Sequence, residues 1–345
     1  MVIRLIFFFI FATIIIIVYL SLMPCNSEKT IIKKILIIDS VHEIILQKLK
    51  EAGLEIIIGT DWNKDKIVNN INDFYGIILR SRITIDKSII DIANNLKFIG
   101  RVGSGMESID TDYCKEKGIV CLNSPEGNRD AVGEHAIAML LAVMNNICKA
   151  NKEVKSRLWL REANRGIELK NKTVGIIGYG NMGSSFAEKL SGFACNVISY
   201  DKYKNNYSDS YTKEVELQEI FEKSDILSIH IPLNSETKYM INNSFISKFK
   251  KPFFLINTSR GLIVKTNSIV EALKSGKILG AALDVIEYED TSFEKIENIF
   301  DHTDFRELVN NEKVILSPHI AGWTNESKLR LAEVLIDKIL ALPYM

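Results

Sequence analysis

One short segment constrains the fold of this chain more than any other. Residues 173–190 read "TVGIIGYGNMGSSFAEKL". The stretch "KTVGII" is typical of a buried strand and "SSFAEKLSGF" of a helix, and three glycines lie where one becomes the other. Glycines spaced G-x-G-x-x-G between a strand and a helix predict a turn that brings bare backbone close to a ligand.

Each glycine has a mechanical role in such a turn. Gly178 permits the tight bend, Gly180 lets a pyrophosphate approach the backbone, and Gly183 lets the helix pack close to the strand. The helix N-terminus then presents its amide groups to the phosphates. Asp201 ends the next strand, "CNVISYD", where an acid is expected to bind the adenosine ribose and repel a 2′-phosphate. The segment therefore predicts NAD rather than NADP as the cofactor.

Strands and helices alternate through the chain from residue 31 onward. Runs such as "IIKKILIID", "YGIILRS" and "KFIGRVG" are typical of buried parallel strands. A second series starts near residue 172, and such alternation predicts parallel α/β sheets with right-handed crossovers. We predict two doubly wound parallel-sheet domains separated by a cleft. Residues 31–124 plus 320–345 form a flavodoxin-like substrate domain, and residues 125–319 form a Rossmann NAD-binding domain.

Residues 1–30 do not fit this pattern. Residues 5–22, "LIFFFIFATIIIIVYLSL", are an unbroken apolar run close to the length of about 20 residues that a bilayer-spanning helix needs. Two interpretations stay open. The run is a membrane anchor whose basic flank holds the rest of the chain in the cytoplasm, or it is an upstream extension of the reading frame that the mature protein lacks. The globular part is expected to be cytoplasmic in either case.

Charge and cysteine content argue against several other classes of protein. The chain of 345 residues carries 43 basic and 43 acidic side chains, so no nucleic-acid partner is expected. Its five cysteines include no C-x-x-C pair, which argues against a disulfide framework or a zinc site and fits a reducing compartment. No metal is predicted.

Polar residues at strand ends are candidates for the chemistry, because open α/β sheets bind ligands there. The strands in "FFLINTSRG", "ILGAALDVIEYED" and "KVILSPHIAGWT" lead to Arg260, to Asp284 and Glu289, and to His319. A histidine can take and return a hydroxyl proton near neutral pH, and the fork of an arginine suits a carboxylate. Taken singly, each residue could be a salt bridge, a loop acid or a cap. Together they predict hydride transfer to or from a hydroxy acid.

From about residue 75 to 330 the chain resembles the D-isomer-specific 2-hydroxyacid dehydrogenase family. The blocks that carry the resemblance stand in family order: "GRVGSGMESID", "NSPEGNRDAVGEHAIAMLLA", "VGIIGYGNMG", "HIPLNSET", "INTSRG", "GAALDV" and "SPHIAGWT". Within that family the chain is most similar to D-3-phosphoglycerate dehydrogenases without a C-terminal regulatory domain. It departs from the family pattern at Asp290, where proline is usual, and at Trp323, where smaller residues are common.

The resemblance implies a catalytic set of Arg260, Glu289 and His319. In that scheme His319 is the acid and base, Glu289 is its partner, and Arg260 holds the substrate carboxylate and carbonyl. The amides of Gly103 and Gly105 would bind the same carboxylate. Beyond the three glycines and Asp201, the residues implied to contact the cofactor are Asn181, Met182, Ile231, Pro232, Thr258, Asp284 and Ser104, the last of which would also approach the substrate.

Arg80 and Arg101 end two strands that face the predicted cleft, and Ser81 follows Arg80. A phosphate on the substrate would need such cations, which favours NAD-dependent oxidation of 3-phosphoglycerate to 3-phosphohydroxypyruvate, the first step of serine biosynthesis. Alternatively, both arginines pair with local acids such as Glu107 or Asp110. The enzyme would then reduce a smaller 2-keto acid such as glyoxylate, hydroxypyruvate or pyruvate.

Two further expectations concern the assembly of the protein and an alternative function. The apolar stretch from Asn128 to Val154 is predicted to form one long helix, and the resemblance implies a homodimer built around it. An NAD-sensing binding protein without turnover is the alternative from another class of function, although the intact Arg260, Glu289 and His319 argue against it.

Overall fold

The computed structural model of the chain describes residues 33–289 and 299–343. Residues 1–30, with the apolar run at 5–22, and Asp290 lie outside the described residues, so the expectations about them stay predictions. Within the described ranges, no single helix is long and apolar enough to cross a membrane. One bent pair of helices, within residues 129–155, passes that test by length and composition only.

The first parallel sheet has five strands in the order β2-β1-β3-β4-β5, which is the flavodoxin-like order. Its strands are β1 (Lys34–Ile37), β2 (Glu55–Ile58), β3 (Gly76–Leu79), β4 (Phe98–Arg101) and β5 (Val120–Leu122). The helices between them are α1 (Glu43–Glu51), α2 (Lys64–Asn70), α3 (Lys87–Ile90) and α4 (Thr111–Glu116), with a 3-10 turn at Ile71–Asp73. Asn63, Asp86 and Asp110 begin α2, α3 and α4 by accepting hydrogen bonds from first-turn amides.

The second parallel sheet has seven strands in the order β12-β11-β10-β9-β6-β7-β8, with β6 near its centre. Its strands are β6 (Thr173–Ile177), β7 (Asn196–Tyr200), β8 (Lys213–Glu214), β9 (Ile226–Ile229), β10 (Phe253–Asn257), β11 (Ile278–Leu283) and β12 (Val314–Leu316). The chain winds outward from β6 in both directions, as in a Rossmann fold. Two parallel α/β sheets were predicted from the alternation of strands and helices, and the structure confirms them.

The helices between residues 129 and 309 follow the first sheet in sequence and belong to the second one, and a last helix closes the chain. They are α5 (Arg129–Met144), α6 (Ile147–Lys155), α7 (Asn181–Leu190), α8 (Leu217–Lys223), α9 (Asn243–Ser247), α10 (Thr266–Lys274), α11 (Thr303–Val309) and α12 (Asn325–Leu340). Short 3-10 turns lie at Pro125–Gly127, Glu162–Asn164, Ser191–Phe193, Gly261–Ile263 and Ile299–Asp301.

The prediction of one long helix from Asn128 to Val154 is wrong. The helix ends at Met144, and α6 starts again at Ile147 after a bend of 62°. Asn146 separates them with a left-handed backbone (φ 54°), a conformation that asparagine tolerates better than most residues. The carbonyl of Met144 accepts a hydrogen bond from the amide of Ile167 instead of continuing the helix.

Helix α12 packs on the five-stranded sheet although it follows the seven-stranded one. Ala332, Leu335 and Ile339 are fully buried in one cluster with Ile35 and Phe98. Fully burying a leucine or isoleucine contributes about 1.5–3 kcal/mol, so this helix is strongly attached. The chain therefore passes between the two sheets twice, near residues 125–127 and 317–324, and these crossings lie beside the cleft.

Candidate active site

A cavity of about 700 Å³ lies between the two sheets. Many of the residues predicted for cofactor and substrate line it. From the five-stranded sheet these are Arg80, Ser81, Arg101, Gly103, Ser104 and Gly105, and from the seven-stranded sheet Asn181, Met182, Ile231, Pro232, Thr258, Arg260, Asp284 and His319. The loops after parallel strands meet at one edge of each sheet, which explains how residues far apart in sequence come together.

The glycine turn after β6 has the geometry that a pyrophosphate requires. Gly178 has a φ of 93°, and a Cβ there would overlap the carbonyl oxygen of His230. A Cβ on Gly183 would overlap the carbonyl oxygen of Gly178, so α7 packs against the turn only because that position is bare. By contrast, a Cβ on Gly180 would meet no described atom within 4 Å beyond its neighbours in the chain. The start of α7 thus offers amide groups beside open space.

Asp201 lies at the end of β7, beside this turn. Its two carboxylate oxygens accept hydrogen bonds from the amides of Tyr179 (2.8 Å) and Tyr203 (2.9 Å). The neighbouring lysines have other partners: Lys202 pairs with Glu236, and Lys204 donates to the carbonyl of Tyr179 (2.6 Å). The negative charge of Asp201 is therefore held in place, which disfavours a 2′-phosphate.

Two residues that line the cavity, Thr258 and His230, each carry a buried polar atom without a partner in residues 33–289 and 299–343. Thr258 Oγ1 and His230 Nδ1 have no hydrogen-bond partner among the residues that the structure describes. Burial lowers the pKa of His230 to about 3, so the ring is neutral, and its Nε2 lies 2.8 Å from Ser228 Oγ. Buried polar groups without partners are costly and uncommon. These atoms and the open turn at Gly180 fit a dinucleotide.

His319 and Glu289 form a hydrogen-bonded pair. Nδ1 of His319 lies 2.8 Å from Oε2 of Glu289, and the other oxygen of Glu289 accepts the amide of Ile286 at 2.7 Å. A carboxylate can only accept, so Nδ1 carries the proton and Nε2 is the nitrogen with a lone pair that can take up a second proton. The backbone of His319 is left-handed, with a φ of 55°.

Asp284 holds the loop that carries His319. Its buried carboxylate accepts from Ser317 Oγ (2.6 Å) and from the amides of Ile320 (2.9 Å) and Ala321 (2.8 Å). Burial alone raises the pKa of Asp284, but hydrogen bonds from His135, Ser317, Ala321 and Ile320 hold that pKa below its usual value. The resemblance implied that Asp284 contacts the cofactor. In the structure its carboxylate is hydrogen-bonded to the loop that carries His319.

Sequence reasoning did not assign His135 or Ser317 to the site. Nε2 of His135 lies 3.0 Å from Ser317 Oγ and 3.5 Å from Asp284 Oδ1, which connects α5 to the loop of His319. The block "GEHAIAML" contains His135. Nothing in that block indicates its partner, however, because 182 residues separate the two.

Arg260 forms an ion pair with Glu107, which follows β4 on the other sheet. Nε of Arg260 lies 2.7 Å from Oε1 of Glu107 and Nη2 lies 3.3 Å from Oε2, while Nη1 donates to the carbonyl of Ser259 at 2.6 Å. The sequence offered Glu107 as a partner for Arg80 or Arg101. The structure places it on Arg260 instead.

Arg80 and Arg101 lie beside each other at the far side of the cavity. Arg101 is only 8 % exposed, and its Nε donates to the carbonyl of Arg80 at 2.9 Å. Burial lowers the pKa of Arg101 to about 10, which leaves it charged at neutral pH. The guanidinium of Arg80 lies 4.9 Å from the ring centre of Trp323, which is 69 % exposed. Ser104 donates to Oδ1 of Asn128 at 2.7 Å, just before α5.

Comparison with known proteins identifies the family of the chain. Residues 137–321 match the family described as D-isomer specific 2-hydroxyacid dehydrogenase, NAD binding domain. The chain therefore belongs to this family, as its motifs predicted, and NAD is its cofactor.

Three similar proteins illustrate the match. The chain is 32% identical to a D-3-phosphoglycerate dehydrogenase of Archaeoglobus fulgidus over 89% of its length, and it spans 56%, about half, of that relative. It is 34% identical to a hydroxypyruvate reductase of Thermotoga maritima, over 80% of this chain and 87% of the other. A solved structure of D-lactate dehydrogenase from Aquifex aeolicus, complexed with NAD and lactic acid, has a TM-score of 0.76 at 27% identity, covering 90% and 95% of the two chains.

Proposed function

We propose that the protein is an NAD-dependent D-2-hydroxyacid dehydrogenase. The observation that carries this proposal is the hydrogen-bonded pair of His319 and Glu289, with His319 and Arg260 lining one cavity with the start of α7. Residues 31–124 plus 320–345 serve as its substrate domain and residues 125–319 as its NAD-binding domain. The family and the cavity both support this assignment.

In the proposed reaction, some residues of the site bind NAD or the substrate and others transfer the proton. The glycine turn, Asp201 and Thr258 would hold NAD, which would supply the acceptor for a hydride from the carbinol carbon. Nε2 of His319 takes the hydroxyl proton during oxidation and returns it during reduction. Glu289 keeps Nδ1 protonated and stabilises the imidazolium that forms. Arg260 binds the carboxylate beside the reacting carbon.

For the substrate, we favour 3-phosphoglycerate, whose oxidation to 3-phosphohydroxypyruvate would begin serine biosynthesis. In the described part of the chain, the cavity is lined by four arginines and three acids. All three acids have partners: Asp284 accepts from Ser317, Glu107 pairs with Arg260, and Asp39 pairs with Arg82. Arg80 and the charged Arg101 lie side by side, as recognition of a phosphate dianion requires.

A second substrate class is favoured by a specific contact. Trp323 covers the guanidinium of Arg80, and Arg101 is almost fully buried, which together leave less room for a phosphate. Such a pocket suits a smaller 2-oxo acid such as hydroxypyruvate, glyoxylate or pyruvate. The hydroxypyruvate reductase relative, most of whose length this chain matches, supports this alternative.

One set of rate measurements distinguishes these possibilities. The full-length protein is given NAD with 3-phosphoglycerate or D-glycerate, and NADH with hydroxypyruvate or glyoxylate. Phosphate recognition requires faster turnover of 3-phosphoglycerate than of D-glycerate, with that preference lost in Arg80→Ala but kept in Lys115→Ala, a control on the exposed face of α4. Tight NAD binding without turnover of any acid would favour the NAD-sensing alternative.

The assembly we propose is a homodimer. Apolar side chains lie exposed on α6 and the segment after it, among them Ile147, Val154 and Trp159, the last of which is 78 % exposed. Exposed apolar side chains that lie close together along one segment are typical of protein–protein interfaces. Because the predicted long helix is broken at Asn146, the proposed interface centres on α6 and on residues 158–160 rather than on one continuous helix.

A further inference from the structure

An ion pair crosses the cleft at the proposed substrate clamp. Glu107 belongs to the loop after β4 of the five-stranded sheet, and Arg260 to the loop after β10 of the seven-stranded sheet. They are 153 residues apart in sequence, and the pair is partly buried, with 18% of the Arg260 side chain and 28% of the Glu107 side chain exposed. The contact therefore links the two halves of the structure at a functional residue.

The pairing fixes the plane of the guanidinium. Glu107 uses both oxygens, one on Nε and one on Nη2, and the carbonyl of Ser259 holds Nη1. Two-point contacts between arginine and carboxylate are directional as well as strong. With two edges held, the group cannot rotate without breaking at least one of these hydrogen bonds.

The backbone at Gly105 passes so close to the ion pair that only glycine leaves room for it. A Cβ on Gly105 would overlap both Nη2 of Arg260 and Oε2 of Glu107. The loop that was expected to bind the substrate carboxylate through its amides thus also receives the ion pair. Arg260 is held against this loop from the opposite half of the structure.

The contact favours the charged form of Glu107. Burial raises the pKa of its carboxyl, but the charge and hydrogen bonds of Arg260 more than compensate and hold the pKa below its usual value. Removing the carboxylate would leave Arg260 without the group that aligns it.

We propose that Glu107 is a positioning residue for Arg260, which orients the guanidinium for the substrate carboxylate when the two halves of the structure meet. This inference rests on the proposed function of Arg260 as the substrate clamp. A competing role, in which Glu107 occupies Arg260 until substrate displaces it, predicts the opposite change in substrate affinity.

The kinetic test compares Glu107→Gln with wild type in the reduction of hydroxypyruvate by NADH. Misplacing a substrate-positioning group by about 1 Å can cost on the order of 100-fold, so kcat/KM for hydroxypyruvate is expected to fall about 10- to 100-fold, while KM for NADH stays within about twofold. Glu107→Asp should recover part of the loss. Glu116→Gln is the matched control, because it removes the same charge from the exposed end of α4. Unchanged kcat/KM, or a lower KM for hydroxypyruvate, would overturn the proposal.

Hydrogen–deuterium exchange of the ligand-free protein tests the contact without turnover. If Glu107 holds Arg260, amides in residues 259–264 exchange faster in Glu107→Gln than in wild type or Glu116→Gln, because local opening becomes easier. Equal exchange in all three proteins would show that the pair does not hold the loop. A wild-type protein that reduces no 2-oxo acid refutes the proposed function, and the exchange measurement then decides the role of Glu107 alone.

Discussion

Replacing Asp284 with asparagine should separate the structure of the His319 loop from the chemistry of His319 itself. The change keeps the size of the side chain but turns one accepting oxygen into a donating amide. The carboxylate now accepts from Ser317 Oγ and from the amides of Ile320 and Ala321. With asparagine, at least one of these donors faces another donor in a buried place.

The expected cost follows from those contacts. A hydrogen bond to a charged acceptor contributes about 1.5–3 kcal/mol, and a buried donor left unpaired costs about 1–3 kcal/mol. Asp284→Asn should therefore lower the free energy of unfolding by about 2–4 kcal/mol, or the melting temperature by roughly 5–10 °C. Because His319 would be displaced with its loop, turnover should fall about 100-fold.

Thermal unfolding followed by circular dichroism measures the first effect, and NADH oxidation by hydroxypyruvate measures the second. Asp337→Asn serves as the control, since its exposed ion pair with Lys48 should contribute less than about 1 kcal/mol. The pKa of Asp284 lies below its usual value in the folded protein. Its contribution is therefore fully present above the unfolded pKa of about 3.9 and is lost as pH falls through the lower folded pKa. If Asp284→Asn melts with wild type at neutral pH, the reasoning is refuted.

Two further predictions concern the site and a third concerns the proposed dimer interface. His319→Ala should reduce turnover by about 100- to 10,000-fold while NAD still quenches protein fluorescence as in wild type, and equal turnover would exclude it as the acid and base. Gly183→Ala should abolish that NAD quenching and lower the melting temperature, because its Cβ would overlap the carbonyl of Gly178; Gly192→Ala, with open space at its Cβ position, is the control. Trp159→Lys should convert the proposed homodimer to monomers in light scattering, and an unchanged mass would place the interface elsewhere.

The sequence predicted the parts of the fold that arise from local patterns. β-branched runs alternating with helical spacing indicated both parallel sheets, and the glycine spacing at 178–183 indicated a bare turn between β6 and α7. The strand ends also directed attention to Arg260 and His319. These features depend on residues close together in the chain, which periodicity and spacing can reveal.

Contacts between distant segments were not predictable in the same way. The pairing of Glu107 with Arg260 depends on how the two sheets face each other, and no local pattern encodes that arrangement. The same holds for Trp323 against Arg80. The break at Asn146 is different, because two successive asparagines after an apolar helix are a recognisable signal for the end of a helix. The prediction of one continuous helix gave more weight to the apolar residues on either side.

Formation of reduced nicotinamide by the full-length protein is the decisive test of the proposed dehydrogenase activity. The protein is mixed with NAD and a panel of D-2-hydroxy acids that includes 3-phosphoglycerate, and its rate is compared with that of Arg260→Ala. We expect wild type to oxidise at least one acid and the variant to lose most of that rate. Tight binding of NAD with no oxidation of any acid would contradict it.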